Sequence, residues 1–319
     1  MNISVRNKSI LLVVAKITVT SVIFYLIAQK INVSDVLSAP VQNWNLLTLA
    51  LAIALIVVFI QGLRWHLLCN LLGVGSDISR NIKAVWAGHL LNNVLPTSAV
   101  GDVLRSYSLR GRGAQRTQWV SALLVEKYFA VITALSLAGL MIVFGQLPSG
   151  VPDIIKIVVL VIFTLGASAS LVLRLMSRVG ASFIPGSLTR FLKTLSSTIS
   201  KSVNNRTGIM TLVTSFLVNF LICVIFFCIA EAMGLKISVF DCLFIVPVFT
   251  ILAGLPISYG GWGIREMTSI HLLQYFGVAP EIALFTTILF GITILLSSLP
   301  GLLFLPAFRD ALIGKKITS

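Results

Sequence analysis

Two arginines stand inside apolar stretches, each a few residues beyond a Leu-Pro break. Residues 95–105 read LPTSAVGDVLR and residues 255–265 read LPISYGGWGIR. The strings coincide at Leu95/Leu255, Pro96/Pro256, Ser98/Ser258, Gly101/Gly261 and Arg105/Arg265. An arginine presents a planar fork of donors that fits a phosphate bidentately. Proline disfavours helix in the residue before it and removes a donor. A new helix is therefore expected to start near Ser98 and again near Ser258, with free N–H groups and partial positive charge in its first turn. Gly101, Gly260, Gly261 and Gly263 let another group approach the backbone closely. Helix N-terminus, glycines and arginine together make a phosphate site. A second reading stands beside it, in which each arginine pairs with a protein carboxylate and braces its segment. Asp102 and Arg105 are three apart and can meet on one helix face. Arg265 and Glu266 are adjacent, and adjacent side chains do not face each other in a helix.

Further ionisable groups fall inside apolar runs, where they are costly and mark functional positions. Glu126 has two readings, a brace for a hairpin arginine or a proton carrier. Lys127 is its local companion or snorkels towards water. Arg64, beside Trp65, reads as an interfacial anchor or as a guide for an anionic headgroup. His89, Asn92 and Asn93 precede the first break and either line a wet cavity or pack in hydrogen-bonded positions. His66, His89 and His271 are too scattered for a metal site, and neither a P-loop nor a G-x-S-x-G occurs. Asp35, Asp77, Asp153, Asp241 and Glu281 are dispersed at the ends of apolar runs rather than clustered. The expectation is no enzyme activity, no cofactor and no metal.

The elements that position these residues follow from composition. Of 319 residues, 57% are hydrophobic and 11% charged, with mean hydropathy +1.01. A soluble chain carries about 25% charged residues, so this one cannot cover a water-facing surface. The fold class is an all-α polytopic membrane protein. The net charge of +14 reads as orienting charge beside spans, not as a nucleic-acid surface, because no basic patch interleaves with aromatics. Cys69, Cys223, Cys228 and Cys242 lie in or beside apolar runs without C-x-x-C spacing and read as reduced, buried thiols. Arg6 and Lys8 precede an apolar stretch from about residue 10 to 28 with no small-x-small cleavage site, so it reads as an uncleaved first span.

Six spans are expected, roughly 9–28, 45–70, 118–146, 154–173, 209–233 and 281–306. Between them, 82–110 and 239–277 each hold a Leu-Pro break between two arms too short to span. Each reads as a re-entrant helical hairpin. With a cytoplasmic N-terminus, sixteen basic residues fall in cytoplasmic segments against three outside, Lys30, Lys156 and Lys236, as the positive-inside rule requires. The two hairpins then enter from opposite sides, which makes an inverted-topology repeat suited to alternating access. The chain reads as one integral membrane domain, 1–319. One repeat half covers about 45–146 and the other about 209–306. Between them, residues 187–206 read as a cytoplasmic amphipathic helix on lipid headgroups, with Leu188, Phe191, Leu192, Leu195, Ile199 and Val203 on one face.

The pieces HLLNNVLPTSAVGDVLRSYSL, Glu126, LPISYGGWGIREM and SSLPG at 297–301 resemble the transmembrane (flippase) domain family of lysylphosphatidylglycerol synthetases, in the form of a stand-alone relative. The resemblance covers most of the chain. In bifunctional members, this domain moves an aminoacylated phospholipid to the outer leaflet and an aminoacyltransferase domain follows. Here the chain ends at Ser319, a few residues after the last span. The resemblance therefore implies translocation without synthesis, with other lipids, glycolipids or polyprenyl phosphates as possible cargo. The expected function is a lipid flippase or scramblase in the inner membrane, both termini cytoplasmic. Its partners are membrane lipids with an anionic headgroup or a polyprenyl phosphate, a separate lipid-modifying or glycosyl transferase, and a second copy of the chain in a homodimer. The other readings are a secondary transporter of a small anion and a non-transporting partner of a lipid or glycan synthase.

Overall fold

A computed structural model describes residues 5–31, 41–74, 77–95, 99–107, 116–144, 147–148, 150–179, 197, 199, 204–255 and 257–308. Among them the chain forms ten α-helices: α1 (Val5–Lys30), α2 (Trp44–Leu71), α3 (Ile78–Val94), α4 (Ala99–Tyr107), α5 (Arg116–Val143), α6 (Asp153–Val179), α7 (Arg206–Ala232), α8 (Val239–Ala253), α9 (Ile264–Gln274) and α10 (Pro280–Ser298). Two short 3₁₀ turns, Leu299–Leu303 and Leu305–Phe308, follow. The described residues contain no strand.

Polar side chains start the helices where water or a turn must release the backbone. Asn43 accepts from the Asn45 N–H, Asp77 from Ser79 and Arg80, and Asn205 from Thr207. Ser238 and Asp241 form a reciprocal capping box at α8. Among the described residues, four segments are long and apolar enough to cross a membrane: residues 44–71, 120–143, 206–232 and 280–303. Helices α1 and α6, of 26 and 27 residues, cover the other two expected spans. Large apolar side chains such as Leu49, Ile56 and Phe59 on α2 and Ile157, Val161 and Leu165 on α6 face outward. A lipid-facing surface has this composition.

The helix order around each break is the same. A long helix, a short helix, a break, a short helix and a long helix occur as α2–α3–α4–α5 and again as α7–α8–α9–α10. The contacts are reciprocal. Helix α2 packs on α10 as α7 packs on α5, and α3 meets α10 as α8 meets α5. The counterparts α2 and α7 pack on each other along their length and run antiparallel. The N–H groups of Gln42 and Asn43, at the start of α2, donate to the carbonyl of Ala232, at the end of α7. Helix α4 folds back on α3, placing Gly101 against Gly88 and Asn92. Phe226, Phe249 and Phe290 form a ring trio with centroids 5.3–5.7 Å apart in the largest core cluster, which joins α7, α8 and α10.

One expectation changes. Helix α9 starts at Ile264, not near Ser258, because Gly260, Gly261 and Gly263 all take positive φ and prolong the turn. Most of 187–206 lies outside the described residues. Within it, Ile199 is buried in the apolar cluster of Trp65 and Leu68.

Candidate functional site

Pro96, Ser98 and Pro256 lie outside the described residues. Most of the remaining sequence candidates converge on two adjoining sites.

The first lies between α2, α3, α4 and α5. Arg64 and Arg105 are each 6% exposed and Glu126 3%. Arg64 Nη2 and Arg105 Nη1 both donate to Glu126 Oε1, each at 2.9 Å. Arg105 also pairs with Asp102 one turn back on α4. Lys127 Nζ lies 3.3 Å from the other Asp102 oxygen and stays half exposed. Asn92 accepts the Gly101 N–H at 3.0 Å and donates to Asp102 at 3.4 Å. The Arg105 guanidinium sits 5.5 Å from the centroid of the Trp65 ring. Arg64, Arg105, Glu126, Lys127, Asn92, His89 and Gln61 line a cavity of about 240 Å³. Its charged lining, with Asp102 behind it, sets three cations against two carboxylates, so one positive charge is in excess.

The second site is built on the turn before α9. Arg265 Nε and Nη2 both reach Glu266 Oε1, at 2.9 and 2.6 Å. Glu266 Oε2 accepts the Gly263 N–H at 2.6 Å, which caps the helix. The guanidinium stacks over Trp262 at 4.4 Å and lies 5.9 Å from Phe290. Gly291 of α10 leaves the space it occupies: a Cβ there would sit 2.8 Å from Arg265 Cζ and from Trp262 Cη2. Arg265 and Thr250, with Gln61 and His89, line a second cavity of about 240 Å³. Gln61 and His89 border both cavities.

The hairpin tips touch. Tyr259 donates its hydroxyl to the Val94 carbonyl at 2.9 Å, and its N–H to Thr20 at 2.9 Å. Ser258 is buried, and its hydroxyl has no partner among the described residues.

The sequence reading is corrected at two points. Arg64 is not an interfacial anchor. Its helix turns it inward to Glu126, where burial without a counter-ion would be costly. Arg265 and Glu266 do meet. They occupy the first turn of α9, where no preceding turn blocks the long arginine from wrapping back to a carboxylate already drawn to the N-cap. Asn93 takes the second of its two readings, its amide donating to the His89 carbonyl at 2.8 Å. Both arginines pair with protein carboxylates, and each also lines a cavity. Gln61, Gly291 and Tyr259 escaped notice. Tyr259 and Trp262 lie inside the second break string, and Gly291 is a glycine within an apolar span, which was the available signal.

Helices of this length and composition, with ion pairs buried among them and apolar side chains facing outward, define a multi-pass helical membrane domain. The chain belongs to the family described as the lysylphosphatidylglycerol synthase TM region, whose model matches residues 13–301. No curated protein matches the chain.

Proposed function

We propose that the chain translocates a phosphate-bearing lipid, or a lipid-linked phosphate or glycan, between leaflets as a flippase or scramblase. One observation carries the reading. A cavity lined by the buried Arg64 and Arg105 and the half-exposed Lys127 holds more positive than negative charge, in a chain whose family is tied to a phospholipid synthase. Burying a headgroup phosphate costs several kcal/mol unless it is paired, and paired arginines offset that cost. The antiparallel counterparts α2 and α7 support an inverted-topology repeat, with α3–α4 and α8–α9 as re-entrant hairpins entering from opposite sides. The orientation is that of the positive-inside rule, both termini cytoplasmic in the inner membrane. The reading gives this chain no bond-making step; a separate transferase supplies the lipid.

A lipid is favoured over a small soluble anion by a further cleft. Leu135, Ile155, Val159, Val248, Ile251 and Met267 help to line an apolar groove of about 620 Å³ between α5, α6, α8 and α9. It suits an acyl or prenyl chain. The test is headgroup movement in proteoliposomes with labelled phospholipids and a polyprenyl phosphate. Wild type is expected to accelerate movement of at least one, and Arg105→Ala and Arg265→Ala to abolish it. Uptake of a water-soluble phosphate with no lipid movement would transfer the cavity to the small-anion reading.

A further inference from the structure

The two arginine–carboxylate pairs differ in how completely they are satisfied. At the second site Glu266 uses both oxygens, Oε1 on Arg265 and Oε2 on the Gly263 N–H. That pair is closed. At the first site Glu126 spends one oxygen on two guanidiniums, and its buried Oε2 has no hydrogen-bond partner among the described residues. Arg64 Nε is likewise buried and unpartnered, as is His89 Nε2, which donates in one imidazole tautomer. A buried ion pair stabilises a fold only when its remaining protons and lone pairs are satisfied. By that measure the Arg64–Glu126–Arg105 cluster is a poor brace. It is a good receptor, because its donors exceed what a single carboxylate oxygen can accept, and a cavity of about 240 Å³ lies against it. A water occupies about 30 Å³, so the space admits a tetrahedral oxyanion.

We infer that Glu126 is an internal stand-in for the ligand. A phosphate oxyanion binds between Arg64 and Arg105 by displacing the Glu126 carboxylate from them. The inference rests on the proposal that this cavity takes a phosphate-bearing ligand, and it adds the residue that competes for the site. A phosphate offers three or more acceptor oxygens where Glu126 presents one. It satisfies the Arg64 Nε–H and a His89 donor that the carboxylate leaves idle. The competing carboxylate keeps the arginines paired when the site is empty. It also holds ligand affinity low enough for release, as a translocator needs.

The test is equilibrium binding to the full chain in detergent, by titration calorimetry, of inorganic phosphate and dihexanoyl phosphatidic acid, with dihexanoyl glycerol as the uncharged control. Wild type is expected to bind at least one phosphate saturably and the glycerol lipid not at all. Glu126→Gln is expected to bind that phosphate about tenfold tighter, the scale of one charge-assisted hydrogen bond regained. Binding of phosphatidic acid alone assigns a lipid headgroup, and equal binding of both assigns the free oxyanion. If Glu126→Gln does not fold, Arg64→Gln carries the test, since Arg105 keeps Glu126 there. Wild-type binding weakened at least tenfold in that variant supports the inference, and unchanged binding overturns it. No saturable phosphate binding by wild type, or a folded Glu126→Gln that binds no tighter, also overturns it. Binding in the expected pattern without lipid movement in vesicles leaves the inference standing and removes the flippase reading. Lipid movement with no tightening in Glu126→Gln does the reverse.

Discussion

The hydroxyl of Tyr259 donates to the main-chain carbonyl of Val94 at 2.9 Å, across a separation of 165 residues. Each partner sits at the break of its own hairpin, so this bond fastens one tip to the other. Val94 ends α3, where the following break leaves the last carbonyls without helical donors. Tyr259 supplies one. Gln61 and His89 are shared by the two arginine cavities, and His89 lies on α3, the helix that Val94 ends.

Tyr259→Phe removes that hydroxyl and keeps the ring. The expected cost is about 1 kcal/mol, the usual net value of one hydrogen bond, read as a small loss of thermal stability in detergent. Lipid movement in vesicles is expected to change more than stability does, because the lost bond couples the hairpins and contributes little to the core. A stability loss with unchanged movement would make the contact purely structural.

Gly291→Ala tests the seat of Arg265. A methyl group there collides with the guanidinium and lies 2.8 Å from Trp262 Cη2. Overpacking of this kind costs about 1–3 kcal/mol, and it pushes Arg265 off both Trp262 and Glu266. Gly139→Ala on α5 is the control, since the nearest atom to its new methyl is Leu160 Cδ2 at 3.9 Å. Alanine in a helix interior gains about 1 kcal/mol over glycine. Gly139→Ala is therefore expected to be neutral or stabilising, and Gly291→Ala to lower both melting temperature and lipid movement.

Much of this was legible in the chain before any coordinates. Low charge and long apolar runs define the membrane class, because water-facing surface needs charge. The matched strings around Pro96 and Pro256 locate both breaks, because proline and glycine act on the local backbone. The pairing of Arg105 with Asp102 follows from helical spacing. What escaped was set by tertiary approach or by end effects. Arg64 read as an anchor because its neighbour Trp65 is an interfacial residue type, and nothing local reveals that α2 turns it to Glu126. The Arg265–Glu266 pair defied the helix-face rule because that rule describes helix interiors, not first turns. The late start of α9 depends on three nearby choices of positive φ, at Gly260, Gly261 and Gly263, which composition permits without requiring.

Glu266→Gln separates bracing from binding at the second site. The carboxylate is fully buried, caps Gly263 and receives two donors from Arg265. Breaking a buried pair from one side costs about 3–5 kcal/mol for outright removal of a partner. The amide keeps one acceptor oxygen, so the loss is expected to fall below that range. Thermal unfolding in detergent measures it. Glu266→Ala, which removes cap and partner together, is expected to reach the full range. Equal stability of the two variants would mean that the charge of Glu266, and not its shape or its cap, holds the turn.

Gly101→Ala tests whether hairpin one must close to form the first cavity. The site is crowded by backbone: a Cβ there would strike the Gly88 carbonyl oxygen and the Asn92 amide. Neither can yield as a flexible side-chain end would, because Gly88 is main chain within α3 and Asn92 is held by the Gly101 N–H and by Asp102. The methyl group therefore separates α4 from α3. Separation carries Arg105, one turn further along α4, away from Glu126 and from the cavity it lines. The expected result is a loss of more than about 2 kcal/mol, beyond the middle of the usual overpacking range, together with loss of phosphate binding by the folded fraction. Gly88→Ala offers the reciprocal probe. Its Cβ would lie 2.8 Å from the Gly101 carbonyl oxygen and 3.0 Å from Arg105 Cγ, so it is expected to reproduce the binding defect. Normal binding in both variants would show that Arg105 reaches the cavity without the α3–α4 contact.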